Sequence, residues 1–428
     1  MKTIEELYEA FRRSTGVSTD TRTISAGSLF IALRGANFDA NTMVGRALEL
    51  GAACVVTTDK SFAGDPRAYV TDDTLATLQD LARERRRHLK IPVIGITGTN
   101  GKTTTKELTT AVLSKKFKTV ATKGNLNNHI GVPLTVLSIP DEAEMAVVEM
   151  GASHPGEIAA LVTISQPTAG LVTNVGIGHI EGFGSFEGVK RTKAELYDYL
   201  RRTGGTVFID PKNKDLAQML GEYGNTIPYL DGGIVDEAAE TLDMRWAAEE
   251  GSGERWRHVT THLLGKYNLP NALAAITVGR HFGVSDNDAA EAIGQYEPTN
   301  GRSQIVQTRR NRLVVDAYNA NPTSMGAALD NFAAHEAEHK CVILGAMREL
   351  GPLQDEQHAK VLERLKAMSL DQAILIGPEF AKFAKDYPEF SFFNATPEAA
   401  EAAKAMSGKY VLIKGSNSNK LSQLVELL

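Results

Sequence analysis

The residues best suited to chemistry lie in one run, Gly95-Ile96-Thr97-Gly98-Thr99-Asn100-Gly101-Lys102-Thr103-Thr104. It leaves a short apolar stretch, Ile91 to Ile94, and enters a helical segment from about Lys102. Glycines let the backbone fold tightly, so that several N–H groups between Gly98 and Thr104 point at one phosphate. A helix N-terminus at that point adds positive potential. Lys102 can reach the β- and γ-phosphates of a nucleotide, and the Thr103 hydroxyl can ligate Mg²⁺. The strict phosphate-loop spacing needs a glycine where Ile96 stands, so this loop is a shorter variant with Gly98 inside it. Nucleotide binding alone leaves GTPase, kinase, motor and ligase chemistry open.

Three more residues are candidates. Glu149 ends the apolar run Met145 to Val148, and ligands of open α/β sheets bind at the carboxyl ends of strands. An acid there can hold Mg²⁺ through hard oxygens, or simply stand exposed at a strand end. His179 closes the Gly-rich loop after Val172, where a neutral imidazole could ligate a metal or serve a structural purpose. Lys193 lies one helical turn from Val189 and Leu196, and spacing alone makes it an exposed helical lysine.

These residues need a scaffold that places loops at one sheet edge. Strand-like runs recur at 145–148, 169–172 and 206–209, with helices between several of them, which predicts a parallel sheet covered on both faces. Residues 245–258 differ: two strand-like stretches flank Gly251-Ser252-Gly253, as in an inserted hairpin. A first segment, 1–88, carries strands at 28–33 and 53–56, a helix over 42–50 and a second over 75–88. The second ends in Arg83, Arg85, Arg86, Arg87 and His88, which reads as a solvated last turn favoured by the helix dipole. A third segment, 299–428, has strands at 312–315, 341–344, 373–376 and 410–413, and a last helix at its end. The expected units are therefore 1–88, 89–298 and 299–428, all α/β, in line with 428 residues at roughly 150 per domain.

Composition narrows the classes. Hydrophobic residues make up 42% and charged residues 23%, the mix of a globular protein rather than a disordered or fibrous one. The net charge of −6 argues against a general nucleic-acid footprint. No long uncharged apolar run predicts a membrane span, and the acids Glu5 and Glu6 do not suit a secretory signal. Two distant cysteines, Cys54 and Cys341, fit a reducing cytoplasm better than a disulfide framework or a cysteine metal site.

Taken together, the motifs resemble those of the Mur ligases, ATP-dependent amide-bond-forming enzymes of peptidoglycan synthesis. The resemblance is carried by residues 97–104, Glu149-Met150-Gly151-Ala152, His179 in its loop, the run from Leu264 to Ala275, and Gly301-Arg302. It covers essentially the whole chain. The runs 124–135, Glu181-Gly182-Phe183-Gly184-Ser185, 316–322, Asp20-Thr21-Arg22 and 29–39 look most like the member that acts last, joining D-alanyl-D-alanine to a UDP-N-acetylmuramoyl-tripeptide.

The resemblance implies a three-domain architecture: an N-terminal UDP-binding domain, a central phosphate-loop domain and a C-terminal Rossmann-like domain. It implies ATP and Mg²⁺ as needs of the reaction and a carbamylated lysine at Lys193. Thr103, Glu149, His179 and Lys193 become the metal set. Lys102, Asn271, Arg302 and Asp316 become nucleotide contacts with the 98–104 loop. Asn125, Asn127, Asn128 and His129 would line the muramyl-peptide path, Thr21 and Arg22 would touch the uridine diphosphate, and Tyr318, Asn319 and Asn321 would meet the dipeptide. Arg348 and Lys414-Gly415-Ser416 would come from the third domain on closure about a hinge near Pro298 to Gly301. Small-molecule partners, with neither nucleic acid nor membrane insertion, fit the same likeness; a cytoplasmic location and, by default, a monomer are expected.

Three positions depart from the family pattern: Val315 precedes Asp316 where an acid is common, Ala346 stands where an acid is common, and Asn417 follows Lys414-Gly415-Ser416 where an arginine is common. The ligase that adds the third amino acid is the nearest rival, but the Asp-Asn-Pro-Arg motif typical of it is absent. Folylpolyglutamate synthetase shares the loop, but not a first segment like residues 1–88. A nucleotide-gated regulatory protein without catalysis would be favoured by loss of Glu149, His179 or Lys193, and all three are present.

Overall fold

The computed structural model describes residues 3–35, 37–299 and 301–428. Two parallel sheets and a third that is parallel but for one edge strand succeed one another along the chain, and one antiparallel sheet is inserted after the second. The first has four parallel strands in the order Val17–Ser18, Leu29–Ile31, Cys54–Thr57 and Ala68–Val70. The second has six, in the order Thr226–Pro228, Thr206–Ile209, Ala169–Val172, Val93–Thr97, Met145–Glu149 and Thr119–Ala121. Val93–Thr97 therefore lies between Ala169–Val172 and Met145–Glu149, with later strands added on both sides. Chain direction diverges at that point, which opens a crevice at the strands' carboxyl ends. The loop 98–101, Glu149 and the 173–179 loop all leave strands there.

The predicted hairpin is present and larger than expected. Thr241–Ala247 pairs antiparallel with Trp256–Leu264, and Gly232–Asp236 adds a third strand. Trp246 and Met244 are fully buried against the helices Lys102–Leu113 and Leu269–His281. The last sheet runs Gln304–Gln307, Arg312–Asp316, Tyr410–Lys414, Lys340–Gly345, Gln372–Ile376 and Ser391–Phe393. Its first strand is antiparallel and was not expected, because Gln-Ile-Val-Gln is an edge sequence with little apolar signal. Its C-terminal helix is a single turn, Ser422–Val425, and the helix expected over 42–50 opens with the 3-10 turn Ala40–Met43. Cys54 and Cys341 are buried in strands of different sheets. No described helix is long and apolar enough to cross a membrane.

The basic run corrects one expectation. Helix Thr74–His88 starts from Asp73, whose carboxylate caps Leu75 and Ala76 at 2.8 and 3.0 Å. At its other end Arg85 and Arg86 are buried rather than solvated. Arg86 donates to the carbonyls of Ser165 at 2.9 Å, Leu89 at 2.7 Å and Gln166 at 3.0 Å. Arg85 reaches Asp141 and the Ile139 carbonyl. A guanidinium has five donors in a planar fork, so it can satisfy several carbonyls at a junction that water does not enter. Around this junction Leu78 and Leu81 share one core with Val148, Ile158 and Leu196. The first and second sheets thus belong to one packed body.

Candidate active site

The loop after Val93–Thr97 is held from behind by the 173–174 segment. Thr99 donates its N–H to the Asn174 carbonyl at 2.9 Å, and Asn100 donates its N–H to Asn174 Oδ1 at 3.0 Å. The hydroxyl of Thr173 and Nδ2 of Asn174 both donate to the Asn100 carbonyl, at 2.6 and 3.0 Å. Two glycines are obligatory here. Gly98 has φ +145°, and a Cβ on it would fall 2.0 Å from Thr173 Oγ1. Gly101 has φ +77° and caps the helix Lys102–Leu113; its Cβ would fall 2.6 Å from Asn271 Oδ1. Asn271 in turn accepts from Thr105 at 3.1 Å and donates to Asn268 at 2.8 Å.

Lys102 Nζ donates to the carbonyls of Gly98 at 2.8 Å and Thr99 at 3.1 Å. Burial pushes its pKa below the usual lysine range, partly countered by Glu149. An anion arriving in the loop would compensate that buried charge. Beside it, Glu149 is 1% exposed and accepts from Thr103 Oγ1 at 2.9 Å and from Asn127 Nδ2 at 2.7 Å.

Lys193 is where spacing misleads. It is 2% exposed, on the helix Phe186–Thr203 that Ser185 caps. Its Nζ is 5.3 Å from the centre of the Phe183 ring and 3.5 Å from the Ala152 carbonyl. Burial, and then the nearby Lys102, bring its pKa down to about 7. Glu157 and Glu195 act on it only as more distant charges that raise its pKa. His179 lies edge-on to the same Phe183 ring, at 6.3 Å and 90°. Burial, which favours the neutral form, holds its imidazole below the usual histidine pKa against the opposing pull of Glu349. An amine of lowered pKa, an imidazole that burial tips toward its neutral form, a buried carboxylate and the Thr103 hydroxyl thus lie on this side of the site.

The last sheet forms the facing wall. Asp316 and Lys414 end adjacent strands in register, and Lys414 Nζ bonds the Asp316 carboxylate. The guanidinium of Arg302 stacks on the Tyr318 ring at 3.6 Å. Asn321 caps the helix Pro322–Ala334 through Ser324, and its Nδ2 donates to Asn100 Oδ1 at 2.8 Å. Thr323 Oγ1 accepts the Ile177 N–H at 3.1 Å. A cavity of about 580 Å³ lies between the two walls, a volume typical of small-molecule sites.

This cavity collects most of the predicted residues. Thr99, Asn100, Gly101, Lys102, Thr103 and Thr104 line one side, with Glu149, His179 and Asn271. Arg302, Asp316, Tyr318 and Asn319 line the facing side. Asn125, Asn127, Asn128 and His129 line a third, after the strand Thr119–Ala121. Gly98, Lys193 and Asn321 stand directly behind the lining. Thr21 and Arg22 are not brought in: Arg22 is exposed and pairs with Asp20 on the first unit. Arg348 also stays out and pairs with Glu379. Ala346 is buried against Gly377, and Asn417 is exposed at the start of a 3-10 turn. The expected hinge, Pro298 to Gly301, includes Asn300, which lies outside the described residues.

Sequence reasoning assigned no role to Asn174, Phe183 or Glu349. Phe183 lies in the run 181–185 and Asn174 in the loop after Val172, but nothing in their spacing says which loop they support. Glu349 needs the third dimension altogether.

Residues 13–94 match the Mur ligase family catalytic domain, 96–279 the Mur ligase middle domain and 301–417 the Mur ligase, glutamate ligase domain. The UDP-N-acetylmuramoyl-tripeptide--D-alanyl-D-alanine ligase of Bacillus subtilis (strain 168) is 35% identical over 429 residues, covering 96% of this chain and 92% of that protein. Among solved structures, MurF from Acinetobacter baumannii superposes with a TM-score of 0.86 at 26% identity, covering 99% of this chain and 98% of that one. The MurF ligase from Thermotoga maritima in complex with ADP gives 0.83 at 25%, covering 100% and 98%. Likeness of this extent reaches every sheet and every wall of the cavity, and by it the chain belongs to the Mur ligase family.

Proposed function

We propose that the protein is the ATP-dependent ligase that joins D-alanyl-D-alanine to a UDP-N-acetylmuramoyl-tripeptide, yielding the pentapeptide precursor of peptidoglycan with ADP and phosphate. The observation that carries this reading is a single cavity with three walls: the phosphate loop, the 125–129 segment and the Asp316–Asn319 segment of the last sheet. A ligase of this kind must hold three reactants at one point, namely nucleotide, acyl donor and amine. The full-length likeness to ligases named for this reaction supports the choice of substrates.

In this reading the phosphate loop and Lys102 hold ATP, with Asn271, Arg302 and Asp316 around the nucleoside. The tripeptide enters along Asn125, Asn127, Asn128 and His129, and its UDP end extends to Thr21 and Arg22. The terminal carboxylate attacks the γ-phosphorus, and ADP leaves. The dipeptide amine, held by Tyr318, Asn319 and Asn321, attacks the acyl carbon of the acyl phosphate. The tetrahedral adduct loses phosphate as the amide forms. Docking of residues 299–428 onto 89–298, with 1–88 as the UDP end, keeps water from the acyl phosphate.

Thr103, Glu149, His179 and a carbamylated Lys193 would hold Mg²⁺, which when bound offsets the repulsion between two anionic reactants. The residues fit that group: the acid is buried beside a hydroxyl, the imidazole favours its neutral form, and the lysine amine is desolvated. A free amine is the form that adds carbon dioxide, and the resulting carbamate replaces a buried cation with an anionic oxygen ligand. Location in the cytoplasm and a monomeric state belong to the same proposal.

The test is phosphate release from ATP with Mg²⁺ and UDP-N-acetylmuramoyl-tripeptide, with and without D-alanyl-D-alanine, with the product identified by mass. Release that needs the dipeptide and gives the pentapeptide is the expected result. Turnover only with a UDP-muramyl-dipeptide and a free diamino acid would assign the preceding step instead.

A further inference from the structure

Glu349 takes no part in the chemistry above, yet it touches the centre of it. It lies in the turn after the strand Lys340–Gly345, on the last sheet. Its carboxylate meets Nδ1 of His179, which belongs to the central body. Its carbonyl accepts the Glu181 N–H at 3.2 Å, so backbone and side chain dock together. Both residues hold left-handed backbone, φ +52° for His179 and +60° for Glu349. That region is unfavourable for a non-glycine residue and persists only where the surroundings impose it.

The surroundings do impose it. Ala346 donates its N–H to the Ile376 carbonyl at 2.8 Å, and its own carbonyl accepts from Asn419 Nδ2 at 2.8 Å. Met347 donates its N–H to Nε2 of the buried His358 at 3.1 Å. Leu350 is fully buried. The turn therefore presents the Glu349 carboxylate from a fixed base. The Phe183 ring meets the imidazole edge-on from the central body.

A neutral imidazole whose Nδ1–H donates a hydrogen bond to a carboxylate keeps its lone pair on Nε2. We propose that Glu349 is a positioning residue: delivered by the C-terminal domain, it fixes His179 as the Nδ1–H tautomer and frees Nε2 for a metal. The metal site is then complete only while the two domains are docked. This rests on the reading of His179 as a metal ligand, and the test separates the two.

The first measurement is ¹⁵N NMR of the full chain labelled at histidine, metal-free with ADP present, with the His179 signals assigned by their loss in His179→Gln. The expected result is a protonated Nδ1 and a lone-pair Nε2 in the wild type, and a shift toward the Nε2–H form in Glu349→Ala. A wild type already in the Nε2–H form overturns the proposal without any variant at position 349. The second measurement is Mn²⁺ binding by electron paramagnetic resonance with a non-hydrolysable ATP analogue. Glu349→Ala is expected to weaken it by about 10–100-fold, the usual effect of removing a ligand's orienting partner. Glu349→Gln keeps an acceptor and should recover most of that loss. If His179→Gln weakens Mn²⁺ binding and Glu349→Ala does not, the positioning role is wrong and the metal reading stands. If His179→Gln binds Mn²⁺ as tightly as wild type, the metal reading itself fails.

Discussion

Lys193 shows how far a single residue can be read from its neighbours in sequence. Helical period places it correctly on a face with Val189 and Leu196, but period cannot say what covers that face. The Phe183 turn and the Ala152 segment, both distant in sequence, close over it. Only the family likeness pointed to it. The physical consequence is a pKa of about 7. Below that value the amine is protonated and cannot add carbon dioxide; at about pH 6 roughly a tenth remains free. The carbamate-dependent rate should therefore fall as pH drops through 7. In carbon dioxide-depleted buffer, added bicarbonate should raise the rate at about pH 8 and act far less at about pH 6. Lys193→Arg keeps a cation that cannot become a carbamate, and should lower kcat by about 10²-fold or more with no bicarbonate response. Equal rates with and without bicarbonate in the depleted wild type would remove the carbamate. Stability gives an independent check. In the carbamate-free protein the folded pKa lies below the unfolded value of about 10.4, so the unfolded chain binds more protons in between. Stability should then rise with pH from about 7 to about 10, and Lys193→Met should flatten that rise.

At the scale of elements, strands were legible wherever β-branched and aliphatic residues ran together, as in Met145–Glu149 and Tyr410–Lys414. The edge strand Gln304–Gln307 and the short 3-10 turns carried no such signal. Turn chemistry was legible at the phosphate loop because only glycine tolerates what happens there. Gly101→Ala makes that quantitative: it combines a left-handed φ with a contact of 2.6 Å to Asn271 Oδ1. It should cost about 1–3 kcal/mol and displace the Asn271 side chain, raising the KM for ATP more than it changes that for the amine. Titration of both substrates checks the split, and equal effects on the two would point to general loosening instead. The basic run of helix Thr74–His88 was misread for the opposite reason. A cluster of arginines at a helix end looks solvated until the next domain is known to sit on it. Arg86→Ala would leave the carbonyls of Ser165, Leu89 and Gln166 without that donor in a buried junction. The expected loss is about 3 kcal/mol by denaturant unfolding, with Arg86→Lys recovering little because an ammonium lacks the fork. A loss below about 0.5 kcal/mol would mean that water replaces the guanidinium.

At the scale of the molecule, the three units were legible, but their mutual attachment was not, because it rests on pairs that no local pattern announces. The first two sheets share a continuous apolar core. The last sheet is attached differently, through polar contacts, Asn100 with Asn321, Ile177 with Thr323 and His179 with Glu349, and a small apolar seam in which Leu264 and Ile177 meet its core and Leu353 meets Ile180 and Phe183. A further contact lies away from the cavity. Glu240, in the connection before the strand Thr241–Ala247, accepts from Nε and Nη2 of Arg312 and from the Tyr410 hydroxyl at 3.1 Å. The Arg312 side chain is 48% exposed, so this pair is screened by solvent and worth only about 0–1 kcal/mol. Attachment through several weak polar contacts and a small apolar seam suits a domain that must release product, whereas a continuous apolar core would hold it shut. Removing one contact should therefore shift an equilibrium rather than unfold a domain. Arg312→Ala is expected to leave the melting temperature nearly unchanged. By small-angle X-ray scattering it should increase the radius of gyration of the nucleotide-free protein. Raising salt from roughly 0.05 M to roughly 0.5 M should expand the wild type in the same direction and the variant less, since the variant has already lost the screened pair. A nucleotide bound in the loop should return both to the compact form, because it adds contacts across the cavity. A radius that ignores salt, substitution and nucleotide alike would mean that the two bodies are docked rigidly, and that access to the cavity depends on its loops alone.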